Sequence, residues 1–476
     1  MYTETNSINQ VFTDQWLNRD DPIMSYRNNP LIGSLGPILT GKQIQELLTI
    51  RPAYDESERS LATHLRPHAA FSMRRLFVPT PQHTSVVAEI DILLRQGYVH
   101  RNPLDLNYRR QVLRDKMLLK NNNVPPERFR TGIQLGTAAM GPAGTGKTMS
   151  FECGISNYPQ VINHCYEVSG ANIAFKQVTV LKLNMFQDAS LKALGIEFFN
   201  QLSATVNEPV REKWGIDRCN RNDIQSRIYL ACMEYCVGMI VVDEVQNISA
   251  LGDNYATVLR YFVRIMNTVG VPVALIGTNT ARALIDADLA ASRRFLGNIP
   301  AFTPFVKGVM WTQFIKELWR YQYLNCYTAV DGLDELILEL TGGIPDLVVK
   351  LYLLIQLRLF GKKSEVIDKS VIKQTADLLL YSVRNRIDEI KGTVPASAGL
   401  ARTLAGANEE FMQHANEECS RIGATVIFAD AKPAPPVEII TAATAQENSD
   451  TSLIGAKSIS DAKGRLARRG QLGLNR

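Results

Sequence analysis

Gly141-Pro142-Ala143-Gly144-Thr145-Gly146-Lys147-Thr148 fits the phosphate-loop pattern G-x-x-x-x-G-K-[ST] at every fixed position. Glycines in such a loop let backbone N–H groups close around a polyphosphate, where a Cβ would clash or forbid the dihedrals. Lys147 brings a point charge to the β- and γ-phosphates, and the Thr148 hydroxyl can enter a Mg²⁺ shell. A helix opening at Met149 and running to Ile155 turns its N-terminus toward the anion. Gly141 through Met149 is therefore the expected cradle for a polyphosphate. Upstream, Ile133 to Met140 reads as the short strand that feeds it.

Downstream, Gly238-Met239-Ile240-Val241-Val242 runs into Asp243-Glu244. An unbroken apolar run is what a strand buried on both faces of a parallel sheet requires. Asp243 at the carboxyl edge of that sheet would hold Mg²⁺ with Thr148, and Glu244 would orient the attacking water. The next buried strand, Val271 to Ile276, ends in Thr278 and Asn279, polar side chains placed to reach the γ-phosphate. Arg293-Arg294 follow where a helix would meet a neighbouring subunit, and an arginine supplied in trans stabilises the transition state of phosphoryl transfer. Val178 to Leu183 reads as a further strand, with a helix starting near Asp188 or Ser190. Ile224 to Cys236 and Tyr255 to Met266 read as helices. Strands alternating with helices predict a doubly wound α/β parallel sheet.

The flanks divide the chain further. Residues 1–60 are polar and broken by X-Pro pairs, with one helical stretch at Thr40 to Ile50. They read as an extension that binds a partner or wraps on the next domain. Residues 61–308 hold the nucleotide-binding core and the helices before it, Val86 to Gly97 and Tyr108 to Leu119. Tyr98-Val99, just ahead of the core, are candidates for holding the base; a merely structural helical pair is the alternative. Residues 309–392 carry apolar residues at helical spacing throughout and read as a helical lid. Residues 393–476 read as a linker and a flexible basic tail, in which Gly455–Arg476 carries six Lys and Arg against Asp461 alone.

Composition narrows the function classes. The net charge of +5 is mild and permits an anionic partner where charge is localised, as in the tail. Seven scattered cysteines argue for reduced thiols, and no run of 18 or more apolar residues exists, so a cytoplasmic protein without a membrane span is expected. The pair Cys232 and Cys236 reads as core.

The motif order of phosphate loop, Asp-Glu strand, polar strand end, Arg pair and helical lid resembles the AAA+ ATPases. More narrowly, the chain resembles the TnsC/TniB family of Tn7-like transposition regulators. Tyr26-Arg27-Asn28-Asn29-Pro30, Gly97-Tyr98-Val99-His100-Arg101-Asn102-Pro103, Gly270-Val271-Pro272-Val273, Ile276-Gly277-Thr278 and Asp346-Leu347-Val348-Val349-Lys350-Leu351 carry that likeness over about residues 20–385. The resemblance implies an ATP- and Mg²⁺-dependent homo-oligomer, a ring or filament on duplex DNA. It would link a target selector of the TnsD/TniQ type to a transposase of the TnsB type, with or without a TnsA-type endonuclease. The family's DNA contacts map onto Gln187 to Lys192, where Ser190 and Lys192 are the groups able to touch phosphate. Where many AAA+ lids place a sensor arginine this chain has Asp346, with Lys350 one turn later as a substitute. The alternative is another DNA-associated AAA+ ATPase, such as a replication initiator or loader.

Overall fold

The computed structural model describes residues 19–121, 123, 125–129, 135–168, 171–185, 190–248, 255–296, 299–381, 383–384, 387 and 405–424. The elements used below are α1 Gly41–Leu48, α2 Pro81–Val99, α3 Leu106–Lys120, β1 Gly136–Met140, α4 Lys147–Ser156, β2 Val161–Val168, β3 Ala171–Val178, β4 Val180–Asn184, α5 Leu191–Val206, α6 Arg221–Glu234, β5 Met239–Asp243, α7 Tyr255–Val269, β6 Val273–Gly277, α8 Asn279–Ala287 and α9 Leu289–Phe295. Beyond them lie α10 Val309–Trp319, α11 Asp334–Thr341, α12 Pro345–Leu359, α13 Lys369–Leu379 and α14 Ala405–Arg421.

A four-stranded parallel sheet in the order β1-β6-β5-β4 forms the centre. The strands are apolar on both faces because both faces are covered. Ile240, Val242, Val273 and Leu275 pack with α5, α6 and α7, whereas Met239, Val241, Ala274 and Ile276 pack with α2 and with Tyr26, Leu31, Ile32 and Leu35. Each fully buried side chain of this kind contributes roughly 1.5–3 kcal/mol. Beyond β1, the Phe302 amide donates to the Met140 carbonyl at 2.8 Å, so the chain after α9 returns to that edge of the sheet.

From residue 19 on, the N-terminal extension packs on the core. Thr40 caps α1, and the Asn29 side-chain amide donates to the Tyr98 carbonyl at 2.7 Å. Leu31 and Ile32 are buried against α2. Arg66 and Glu365, each 2% exposed, form an ion pair that ties this segment to the helices after residue 309.

Two expectations change. The strand read as Val178 to Leu183 is two: Val178 closes β3, and β4 begins at Val180, with β2 and β3 paired as a separate antiparallel hairpin. The hairpin buries a polar network, in which His164 Nε2 meets Gln177 Oε1 at 2.7 Å and Ser34 Oγ donates to the same oxygen at 2.9 Å. Within the stretch read as a linker, α14 is a helix, seated on α12 and α13 by Phe411, Ala415 and Cys419, one turn apart and buried. The basic stretch Gly455–Arg476 lies outside the described residues, and no helix among the described residues is long and apolar enough to cross a membrane.

Candidate active site

The phosphate loop joins the carboxyl end of β1 to α4. Gly146 stands at φ 86° as the N-cap of α4, and a Cβ there would come within 2.8 Å of His83 Nε2 and of the Phe77 ring. A Cβ on Gly141 would lie 2.4 Å from the Phe302 carbonyl oxygen. Both positions thus require glycine, for conformation at one and for space at the other. Gly146 has no side chain with which to cap α4, and the first-turn amides of Lys147, Thr148 and Met149 have no intrahelical acceptor, an arrangement that suits an anion. The Met149 side chain itself is exposed, and Pro142, Ala143 and Gly144 are half-buried along the loop.

Lys147 Nζ donates to the Gly141 and Pro142 carbonyls at 2.9 and 2.6 Å. Burial lowers its pKa to about 8, against the opposing pull of Glu244 and Asp243. The loop is braced from behind by His83. The Thr80 amide donates to His83 Nδ1 at 2.8 Å, which leaves Nε2–H to donate to the Thr145 carbonyl at 2.9 Å. Burial lowers the His83 pKa to about 4, the Thr145 bond opposing and Lys147 reinforcing the shift. His83 is therefore a neutral prop between Phe77 and Phe302, whose rings meet it edge-on. Nothing in the local sequence marks it, because its partner lies 62 residues away.

Asp243 closes β5 directly across from the loop, and Thr148 Oγ1 donates to Asp243 Oδ2 at 3.0 Å. This hydroxyl–carboxylate pair is an all-oxygen donor set suited to Mg²⁺, a cation that takes one or two protein ligands and completes its shell from phosphate and water. Lys182 Nζ, on the neighbouring strand, stands 3.6 Å from the same carboxylate oxygen. A lone lysine interrupting the apolar run of β4 was its only sequence signal. Glu244 follows in a left-handed conformation, φ 57°, with its amide donating to Asp243 Oδ1 at 2.9 Å. Thr278 precedes α8 at its N-cap position without a capping bond, its buried hydroxyl having no hydrogen-bond partner among the described residues, and Asn279 is exposed beside it.

The lid helix α12 touches the loop. The Asp346 amide donates to the Gly144 carbonyl at 3.2 Å, and the buried Lys350 ammonium pairs with the Asp346 carboxylate one turn back. Lys350 thus stands near the loop behind Asp346.

Tyr98 and Val99 do not reach this site. They end α2, and His83, near its start, is the residue at the loop; fifteen residues of helix put roughly 22 Å between them. Tyr98 is fully buried and donates to the Cys236 carbonyl at 2.8 Å, which makes it core. Arg293 and Arg294 end α9, and the Arg294 backbone lies over Gly136, at the opposite end of β1 from the loop. Five strand residues, roughly 16 Å, separate them from the loop of the same chain. Arg293 is exposed there. Ser190 Oγ accepts from the Ala193 amide at 3.0 Å as the cap of α5, and Lys192 is exposed on its first turn. Gln187 to Ala189 lie outside the described residues.

Residues 134–285 match the AAA domain family. The core has the AAA+ fold. No curated protein sequence matches the chain. Among solved structures, the crystal structure of Cdc6p from Pyrobaculum aerophilum is similar over 66% of this chain and 94% of that one, with 13% sequence identity and a TM-score of 0.33. The AAA+ assignment agrees with the elements above: loop, Asp-Glu strand end and polar strand end converge at one edge of the sheet.

Proposed function

We propose that the chain is an ATPase whose nucleotide state governs its assembly on duplex DNA, and that it regulates DNA transposition. In this role it links a target selector to a transposase. The observation that carries the ATPase reading is the Thr148–Asp243 contact at 3.0 Å, with Glu244 next in the chain. Mg²⁺ held there would screen the phosphate charge that builds up during transfer. Lys147 and the first-turn amides of α4 hold the phosphates, and Glu244 orients and accepts a proton from the attacking water. Arg293, too far from its own loop, serves the loop of a second copy.

The transposition reading is supported by the flanking stretches. Tyr26–Pro30 and Gly97–Pro103, which carry the TnsC/TniB resemblance, are packed together through Asn29 on the Tyr98 carbonyl and Asn102 on the Asn28 carbonyl. The lid stretch Asp346–Leu351 is the one that meets the phosphate loop. Duplex DNA would be held through Lys192 and the neighbouring stretch, and the basic tail would meet DNA or the transposase.

The test follows ATP turnover and DNA-dependent assembly together, by phosphate release and electron microscopy. Lys147→Ala loses nucleotide binding and assembly at once, and Glu244→Gln retains assembly while turnover falls. Assembly unchanged in Lys147→Ala would overturn the nucleotide gate.

A further inference from the structure

Three strand ends meet at one turn behind the active carboxylates. Residues Val245 to Ile248 form this turn immediately after Glu244. Gln246 in it is only 7% exposed, an unusual place for an uncharged polar side chain unless both of its ends are satisfied. They are: Gln246 Nε2 donates to Glu244 Oε2, and Gln246 Oε1 accepts from the Thr278 amide at 3.2 Å. The next residue, Asn247, donates to the Met185 carbonyl at 2.7 Å, just past β4, and the Met185 amide donates to the Asp243 carbonyl at 3.0 Å. The turn is thereby fixed to β4, β5 and β6 together.

Glu244 needs such a fixture. Its backbone is held at a positive φ that non-glycine residues rarely adopt, and a carboxylate on a flexible side chain would otherwise sample several rotamers. We propose that Gln246 is a positioning residue for hydrolysis: it holds one oxygen of the Glu244 carboxylate, leaves the other for the attacking water, and registers the pair against the Thr278 end of β6. In this role Gln246 acts through Glu244 and not on the nucleotide or the metal. Its amide is suited to the task because one end donates to an anion while the other accepts from a backbone amide, which neither a carboxylate nor an aliphatic side chain can do. Thr278 Oγ1, buried beside this link and without a partner among the described residues, is the polar group whose position Gln246 sets relative to Glu244.

The inference rests on the ATPase reading above, and the experiment separates the two. Steady-state ATP turnover and binding of a fluorescent ATP analogue are measured for Gln246→Ala, Glu244→Gln and the double variant, with Gln246→Met as the volume-preserving form. Loss of one hydrogen bond to a charged group in the transition state lowers kcat by roughly tenfold to a hundredfold. Expected are that fall for both Gln246 variants, KM and analogue affinity within about twofold of the parent, and no further loss when Gln246→Ala is added to Glu244→Gln. Parental kcat in Gln246→Met, a defect confined to KM, or losses that simply add to those of Glu244→Gln would overturn the positioning role. Full turnover in Glu244→Gln would instead overturn the hydrolytic reading on which it rests.

Discussion

His83 makes the phosphate loop acid-sensitive, and the size of the effect can be worked from its surroundings. The folded protein holds the imidazole neutral, with a pKa of about 4 against 6.5 for an ordinary histidine. The unfolded chain therefore binds a proton that the folded chain refuses. Stability from this group is complete above pH 6.5, falls as pH drops, and is fully lost below about pH 4. At pH 5 the unfolded histidine is 1.5 units below its pKa, so the loss is about 2 kcal/mol at 1.36 kcal/mol per unit. His164, buried in the hairpin and also lowered to about 4 by desolvation, adds a loss of similar size. The assay is urea unfolding at pH 7 and pH 5 for the parent and for His83→Gln. Carboxylates contribute to both proteins alike and cancel in the comparison. The parent should lose about 2 kcal/mol more than His83→Gln over that interval. An equal loss in the two proteins would refute the argument, because it would mean that His83 is already protonated, or exposed, when the protein is folded.

Two further outcomes test the tie to the lid and the reach of α9. Glu365→Ala strands the Arg66 guanidinium in a buried site and should cost about 3–5 kcal/mol in calorimetry, whereas joint replacement of both by apolar residues should recover part of it, the Asn325 and Gly361 amides that Glu365 accepts from still losing their acceptor. Recovery absent from the double variant would argue against the buried-charge account. Arg293→Ala should reduce turnover by about 10³-fold, and an equimolar mixture with Glu244→Gln should regain activity, since an intact loop then meets an intact arginine on a different subunit. Failure of the mixture to recover would place the arginine's role within its own subunit.

The phosphate loop and the β5 strand end were legible because each is a contiguous pattern: the glycines, Lys147 and Thr148 are local requirements, and Val241-Val242-Asp243-Glu244 carries both burial and chemistry in one run. The same holds for the helices after residue 309, whose spacing is regular. What escaped depends on partners distant in the chain. The hairpin β2-β3 alternates poorly because His164 and Gln177 satisfy each other and Ser34 inside the fold, so two polar residues occupy apolar positions. Gln246 looks like an ordinary turn residue until β6 is brought beside it. Tyr98 misled in the other direction: an aromatic residue near a nucleotide core in sequence is carried a helix length away in space.

The placement of Arg293 and the phosphate loop at opposite ends of β1 gives the chain a polarity. On the proposed reading, copies joined head to tail complete one another's sites in a single direction. An open filament then always ends in one subunit whose loop lacks an arginine, while a closed ring has none. Hydrolysis per subunit would rise with filament length, and the terminal subunit would keep its ATP longest. Growth and loss would in that case be unequal at the two ends without any further device in the chain.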